Sequence, residues 1–216
     1  MEHNNFIDEV NEELKLDRMS DFGRKFALPI LISLVSLLFL VGAWRIYVYV
    51  KEQRIEKLGD SFSEALEIAD RGQSALALGK LTEIEASRIG NYPDLARLSK
   101  ANLLKKNGSV VQAKQQLLFV MQDQAAPILL KNIARLKLSY LFADEGDVDA
   151  VTKNVEPFLN DQSSFQLLAW EALGLAYVKQ NKSKQAEIYF HKILDHDKTS
   201  SGVAQRARLM LDVLAT

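Results

Sequence analysis

The side chains best suited to bind a metal ion lie close together near the C-terminal end, in the segment HKILDHD. His191 and Asp195 are four residues apart there, and His196 and Asp197 follow directly. In a helix this spacing brings an imidazole and a carboxylate onto one face, where they could ligate a metal ion. A second interpretation needs no metal, because histidine in the last turn of a helix stabilises the helix dipole. The second interpretation is favoured, and we predict no metal site.

Other arrangements that could carry out catalysis are absent from the sequence. Glu83 and Glu85 are two residues apart, so a helix directs them away from each other and they do not form a catalytic carboxylate pair. The chain has no phosphate-binding glycine-rich loop, no HExxH, no GxSxG and no EF-hand loop. It also has no cysteine, which excludes disulfides and a cysteine nucleophile. We predict a protein that is not an enzyme and uses no cofactor.

The composition limits the class of protein further. The chain has 216 residues, enough for one or two domains with a core of their own. Its net charge is −1 at pH 7, so no basic field favours a nucleic-acid partner. Hydrophobic residues make up 48% of the chain, and they are spread unevenly, with one stretch that is almost entirely apolar.

That stretch runs from Phe26 to Trp44 and contains 19 residues without a charge. As a helix it would be about 28 Å long, close to the thickness of the hydrocarbon core of a bilayer. Arg24 and Lys25 precede it, and Trp44 and Tyr47 provide aromatic rings suited to the headgroup layer. Residues 26–50 are therefore predicted to form a transmembrane signal anchor. The alternatives are a buried core helix and a cleaved signal peptide, whose apolar region would be shorter, about 7–15 residues.

The tail before this segment, residues 1–25, carries seven acidic and four basic residues. Ile7, Val10 and Leu14 recur at helical spacing, which predicts an amphipathic helix; a solvated tail is the alternative. Four basic residues flank the apolar segment on each side, so the positive-inside rule does not decide its orientation. Because the tail is short, we expect it to stay in the cytoplasm while the larger C-terminal part is exported.

Residues 51–216 are predicted to form a helical repeat domain. Gly72, Gly108, Gly146 and Asn181 each separate two helical stretches of about 12–18 residues. Their spacings of 36, 38 and 35 residues are close to the period of tetratricopeptide repeats, in which each unit is a pair of helices. This predicts an all-α protein, in which a tetratricopeptide-repeat-like α-solenoid of about four helix pairs and a capping helix follows the transmembrane helix.

The last repeat unit carries the most specific pattern, in the segment WEALGLAYVKQNKSKQAEIYF. Its first helix fits W-x2-L-G-x2-Y, and its second helix places a small and an aromatic residue at the expected spacings. Small residues permit a close helix crossing, and the aromatic ring fills the gap to the next helix. The six predicted structural residues are Trp170, Leu173, Gly174, Tyr177, Ala186 and Phe190.

The register of this unit also predicts which residues line a binding groove. The first helices of three successive units direct a mixture of apolar and polar side chains toward the concave side, which suits a segment of another protein. For each of these residues, a place in the core or on a plain surface is the alternative. Tyr140 is the strongest candidate, since tyrosine is common in partly buried contacts. The predicted groove residues are Leu98, Asn102, Lys105, Leu136, Tyr140, Glu171, Leu175 and Lys179.

The acidic tail, the anchor beginning RKFALPILISL and the repeat pattern together resemble the bacterial YfgM family. Members of this family are tetratricopeptide-like ancillary subunits of the SecYEG translocon. The resemblance implies a single-pass inner-membrane protein with a cytoplasmic N-terminus and a periplasmic repeat domain. It also implies partners among the translocon subunits and a membrane-anchored periplasmic chaperone of prolyl-isomerase type. No catalytic residue carries over from the family.

The sequence thus favours a membrane-anchored protein-interaction scaffold that links the secretion channel to periplasmic chaperones. One alternative is a tethered scaffold for another envelope or cell-division assembly, which could face the cytoplasm. Another is a metal hydrolase that uses His191 and Asp195. Membrane topology distinguishes the first two, and the effect of replacing His191 tests the third.

Overall fold

A computed structural model describes residues 3–160, 163–197 and 200–215, with side chains from residue 28 onward except that of Ser201. In these ranges the chain forms nine α-helices and no β-strand. The helices are α1 (His3–Asp70), α2 (Ser74–Ala86), α3 (Tyr92–Lys106), α4 (Val110–Gln122), α5 (Ile128–Glu145), α6 (Val148–Val155), α7 (Ser164–Lys179), α8 (Ser183–Leu194) and α9 (Ser201–Leu214). The all-α class and the solenoid of helix pairs are therefore as predicted.

The chain divides into two compact units, residues 1–56 and residues 57–216. The first unit consists of the greater part of α1, which passes through residues 26–50 without a break. Its apolar stretch begins at Leu28, has a mean hydropathy of 2.0 and contains no buried residue. This helix is long and apolar enough to cross a membrane, and the absence of buried residues from its apolar stretch argues against the alternative of a buried core helix. The predicted amphipathic pattern of the tail lies outside the described side chains.

The second unit contains four helix pairs, and each pair turns at one of the predicted breaks. The residues at these breaks adopt left-handed backbone conformations, with φ of 81° at Gly72, 80° at Gly108, 75° at Gly146 and 59° at Asn181. At Gly146 the backbone N–H donates to the carbonyl of Ala143, and the next N–H donates to that of Phe142. The same two bonds recur at the other three breaks. This Schellman geometry ends each first helix by pairing its last carbonyl groups.

Four apolar clusters fill the second unit, and each joins the two helices of one pair to the helix that follows that pair along the chain. The first cluster contains Ala65, Leu81 and Ala96, from the end of α1, α2 and α3. The following clusters join α3 and α4 to α5, α5 and α6 to α7, and α7 and α8 to α9. A single pair therefore cannot bury its own apolar face, which is the physical basis of a solenoid. The last helix, α9, covers the last cluster.

One second helix is shorter than predicted. The helix α6 has eight residues instead of at least about 12, because Pro157 follows it in a 3-10 turn (Glu156–Phe158). Phe158 in this turn is 2% exposed and completes the cluster between α5 and α7.

Candidate functional site

The signature residues of the last repeat lie at the crossing of α7 and α8. Leu173, Ala186 and Phe190 are at most 1% exposed. A Cβ atom built on Gly174 would lie 2.8 Å from both Cε1 and Cζ of the Phe190 ring. Glycine is thus required here by the close approach of the aromatic ring, and the contact positions the C-terminal half of the solenoid.

The two remaining signature residues, Trp170 and Tyr177, form ring contacts. Trp170 packs edge-on against His196 with 5.8 Å between ring centroids, and Tyr177 stacks on Tyr189 at 5.7 Å. His196 therefore lies against an aromatic ring, while His191 is in the last turn of α8 and Asp195 follows that helix. Among the residues that the structure describes, no group of three or more His, Cys, Asp or Glu side chains could hold a metal ion.

All eight predicted groove residues lie on α3, α5 and α7, the first helices of three successive pairs. We call the surface that these eight residues were predicted to line the first-helix face. The structure buries three of them, with Leu98, Leu136 and Glu171 at 6%, 4% and 5% exposure. Leu175 is partly buried against two apolar clusters. The accessible members are Asn102, Lys105 and Lys179, together with the half-buried Tyr140. Contact with a partner stays a prediction for the whole set, and burial argues against direct contact by Leu98, Leu136 and Glu171.

The most strongly connected polar group on this face is the buried carboxylate of Glu171. Arg206 on α9 donates two hydrogen bonds to it, at 2.5 and 2.8 Å, and the hydroxyl of Tyr140 donates a third at 2.8 Å. Burial, with the adjacent negative charge of Glu171, raises the pKa of Tyr140, so its hydroxyl keeps its proton. These bonds connect α5, α7 and α9. Arg206 was not predicted, because only the docking of α9 brings it to Glu171.

A pocket of about 200 Å³ opens between α3 and α5, lined by Ala101, Asn102, Lys105, Leu117, Lys137, Tyr140 and Leu141. The ammonium group of Lys137 donates a hydrogen bond of 2.9 Å to Oδ1 of Asn102. Lys105 pairs with Asp144 at 2.8 Å. Burial, and then the positive charge of Lys105, lowers the pKa of Lys137. Lys137 was not among the predicted groove residues, although it lies one residue from Leu136, which was.

The comparison with protein families is consistent with this helical architecture. Residues 21–216 match the family described as Tetratricopeptide repeat-like domain. The chain belongs to this family. The match confirms the repeat class predicted from the spacing of the breaks. Neither the curated proteins nor the solved structures yield a match to the chain.

Membership in the tetratricopeptide repeat-like family bears on what the site can do. Such domains generally mediate protein–protein interaction and are typically non-catalytic scaffolds. The first-helix face of this tetratricopeptide repeat-like domain offers donors, an aromatic ring and small apolar surfaces, which suit a polypeptide ligand.

The tetratricopeptide repeat-like domain has a larger cavity of about 680 Å³ where α2, α3 and the segment after α4 meet. Three acidic and three basic side chains line it. At its centre, Arg97 lies 3.1 Å from Glu85, 3.2 Å from Asp94 and 3.5 Å from Asp123. Lys100 adds a bond of 2.7 Å to Glu85. These charges compensate one another inside the protein, so the cavity carries no excess charge that would select a ligand.

Proposed function

We propose that the protein is a non-enzymatic, membrane-anchored scaffold that binds other proteins, and that it is an ancillary translocon subunit linking the secretion channel to periplasmic chaperones. The observation that carries the proposal is the apolar part of α1, none of which is buried, in the same chain as a tetratricopeptide repeat-like domain. Exposed apolar surface of this extent is stable in a bilayer and unfavourable in water. The chain thus combines an anchor with a domain class that holds polypeptides.

The residues that follow the apolar stretch support an anchor in the bilayer. Trp44, Tyr47 and Tyr49 are between 61% and 66% exposed, and Arg45 lies among them. Aromatic and basic side chains of this kind favour the interface between hydrocarbon and water.

The orientation in the proposal places the N-terminus in the cytoplasm and the repeat domain in the periplasm of a bacterial inner membrane. The numbers of flanking basic residues are equal on the two sides, so the orientation rests on the resemblance to the YfgM family. The proposed partners, translocon subunits and a prolyl-isomerase-type chaperone, rest on the same resemblance.

The decisive experiment combines site-specific cross-linking with a topology reporter in native membranes. A photo-reactive amino acid replaces Lys179, an exposed residue at the end of α7 on the first-helix face, and the matched control replaces Lys153, which is exposed on α6. We expect position 179, and not position 153, to cross-link to translocon subunits and to the chaperone. An alkaline phosphatase fused to the C-terminus should be active.

Two results would contradict the proposal. An inactive phosphatase, with cytosolic proteins cross-linked to position 179, would leave a tethered scaffold for another assembly. An active phosphatase with no cross-link from position 179 to a translocon subunit or to the chaperone would contradict the proposed partners.

A further inference from the structure

We propose that the pocket between α3 and α5 binds the carboxylate of an aspartate or glutamate side chain in an extended segment of a partner protein. This inference rests on the proposed function, because it names the chemistry of the partner that the first-helix face would hold. Lys137, Asn102 and Lys105 supply the donors, and the pocket between them supplies the space.

The charge of Lys137 favours an acidic ligand in this pocket. Its side chain is half-buried, and among the described residues its ammonium group bonds to a neutral amide and has no carboxylate partner. A desolvated charge without a counter-charge is costly, and the lowered pKa of Lys137 reflects that burial together with the repulsion from Lys105. A carboxylate in the pocket would supply the missing counter-charge and offset the repulsion between Lys137 and Lys105.

Hydrogen-bond donors from Asn102, Lys105 and Lys137 line the same pocket. Asn102 uses its oxygen to accept from Lys137, so its amide N–H groups remain to donate. Lys105 lies three residues further along α3, on the same helix face, and an ammonium group has donors beyond the one directed at Asp144. A carboxylate has two oxygens with about four acceptor positions, and hydrogen bonds from charged donors to it are the strong ones.

The size and the lining of the pocket suit a single side chain. Its volume of about 200 Å³ is below the roughly 300–1,000 Å³ of pockets for small-molecule ligands, so it suits one side chain. Ala101, Leu117 and Leu141 provide apolar walls for the methylene groups that precede a carboxylate. The neighbouring carboxylate of Glu171 is already neutralised by Arg206. It therefore does not turn the pocket into a site for cations.

The test measures how tightly two peptides bind the full-length protein in zwitterionic detergent micelles. Both are N-acetylated and C-amidated peptides of eight residues that differ only in carrying glutamate or glutamine at the central positions. We expect the glutamate peptide to bind about tenfold more tightly, the gain typical of a charge-assisted hydrogen bond.

Lys137→Met should abolish this preference and Lys137→Arg should retain part of it. Lys153→Met, which removes a charge outside the pocket, should retain all of it.

Several results would overturn the inference. If the two peptides bind equally, or if Lys137→Met keeps the preference while its helical circular dichroism is unchanged, the pocket does not bind a side-chain carboxylate. A glutamine peptide with a free C-terminus that binds as tightly as the glutamate peptide would assign the pocket to chain termini instead. Equal binding of the two peptides, or binding of neither, contradicts this inference and leaves the proposed function standing, because the cross-links from position 179 test that function.

Discussion

At the scale of single residues, the crossing of α7 and α8 depends on the absence of a side chain at one position. The ring of Phe190 is fully buried, and two of its atoms lie only 2.8 Å from the place where a Cβ atom of residue 174 would be. A buried aromatic ring is held from all sides, so it cannot move away without disturbing its neighbours. This makes the crossing sensitive to a single methyl group.

We predict that Gly174→Ala destabilises the protein by about 1–3 kcal/mol, since the added methyl group overpacks a filled core. Gly79→Ala is the matched control, because Gly79 is also within a helix but a Cβ atom added there would have no neighbouring atom within 4 Å. The control should stabilise the protein by about 0.5–1 kcal/mol through the better helix propensity of alanine. Urea unfolding monitored by circular dichroism measures both. Equal stability of Gly174→Ala and the wild type would contradict the assigned crossing.

The same scale shows what could be predicted from the sequence and what could not. The breaks and the glycine of the close crossing follow from local rules, because glycine or asparagine favours a left-handed break and the repeat pattern places a small residue at the crossing. The burial of Leu98 and Leu136 does not follow, because a face assigned by register cannot separate a groove position from the adjacent core position. Arg206 and Lys137 act across helices, so their roles appear only once the helices are packed.

At the scale of helices, charged side chains connect one pair to the next. Glu85 near the end of α2 accepts hydrogen bonds from Arg97 and Lys100 on α3. Burial by itself would raise the pKa of Glu85, but the bonds and charges of Lys100 and Arg97 outweigh it, and the pKa of Glu85 is lowered from 4.5. The balance is the opposite at Asp94, where burial and the negative charge of Asp123 outweigh the favourable effect of Arg97, so that the pKa of Asp94 is raised. Glu85 is thus the carboxylate through which ion pairing stabilises this contact.

The sign of the resulting pH dependence follows from linkage. A carboxylate whose pKa is lowered on folding contributes stability above its unfolded pKa, and this contribution is lost as the pH falls through its folded pKa. We predict that Glu85→Gln reduces the free energy of unfolding at about pH 7 and that its difference from the wild type shrinks as the pH falls below 4.5. Urea unfolding at a series of pH values measures this.

Glu83→Gln provides the control for this prediction. Glu83 is two residues away on the same helix and its side chain is exposed, so its replacement should change stability by less than about 0.5 kcal/mol at each pH. A Glu85→Gln deficit that stays constant down to about pH 3 would show that packing, and not the charge of Glu85, connects α2 to α3.

At the scale of the whole chain, the two units have different physical requirements. The apolar stretch that begins at Leu28 contains no buried residue, so it contributes nothing to a protein core. The second unit has its own four clusters, the first of which already includes Ala65 and Ile68 from the end of α1. The repeat domain therefore depends on the last turns of α1 and not on its apolar part.

Two truncated chains test this division. We predict that a chain of residues 51–216 is soluble, helical and unfolds cooperatively, because it retains every residue of the four clusters. A chain of residues 71–216 lacks Ala65, Ile68 and Ala69 and leaves the apolar side of α2 uncovered. Its unfolding midpoint should be lower by at least about 5 °C, the shift that a loss of roughly 2 kcal/mol causes in a domain of this size.

Thermal unfolding followed by circular dichroism distinguishes the two chains. Aggregation of the longer chain would show that the repeat domain needs the apolar part of α1 to fold, and equal midpoints would show that the first repeat begins after α1.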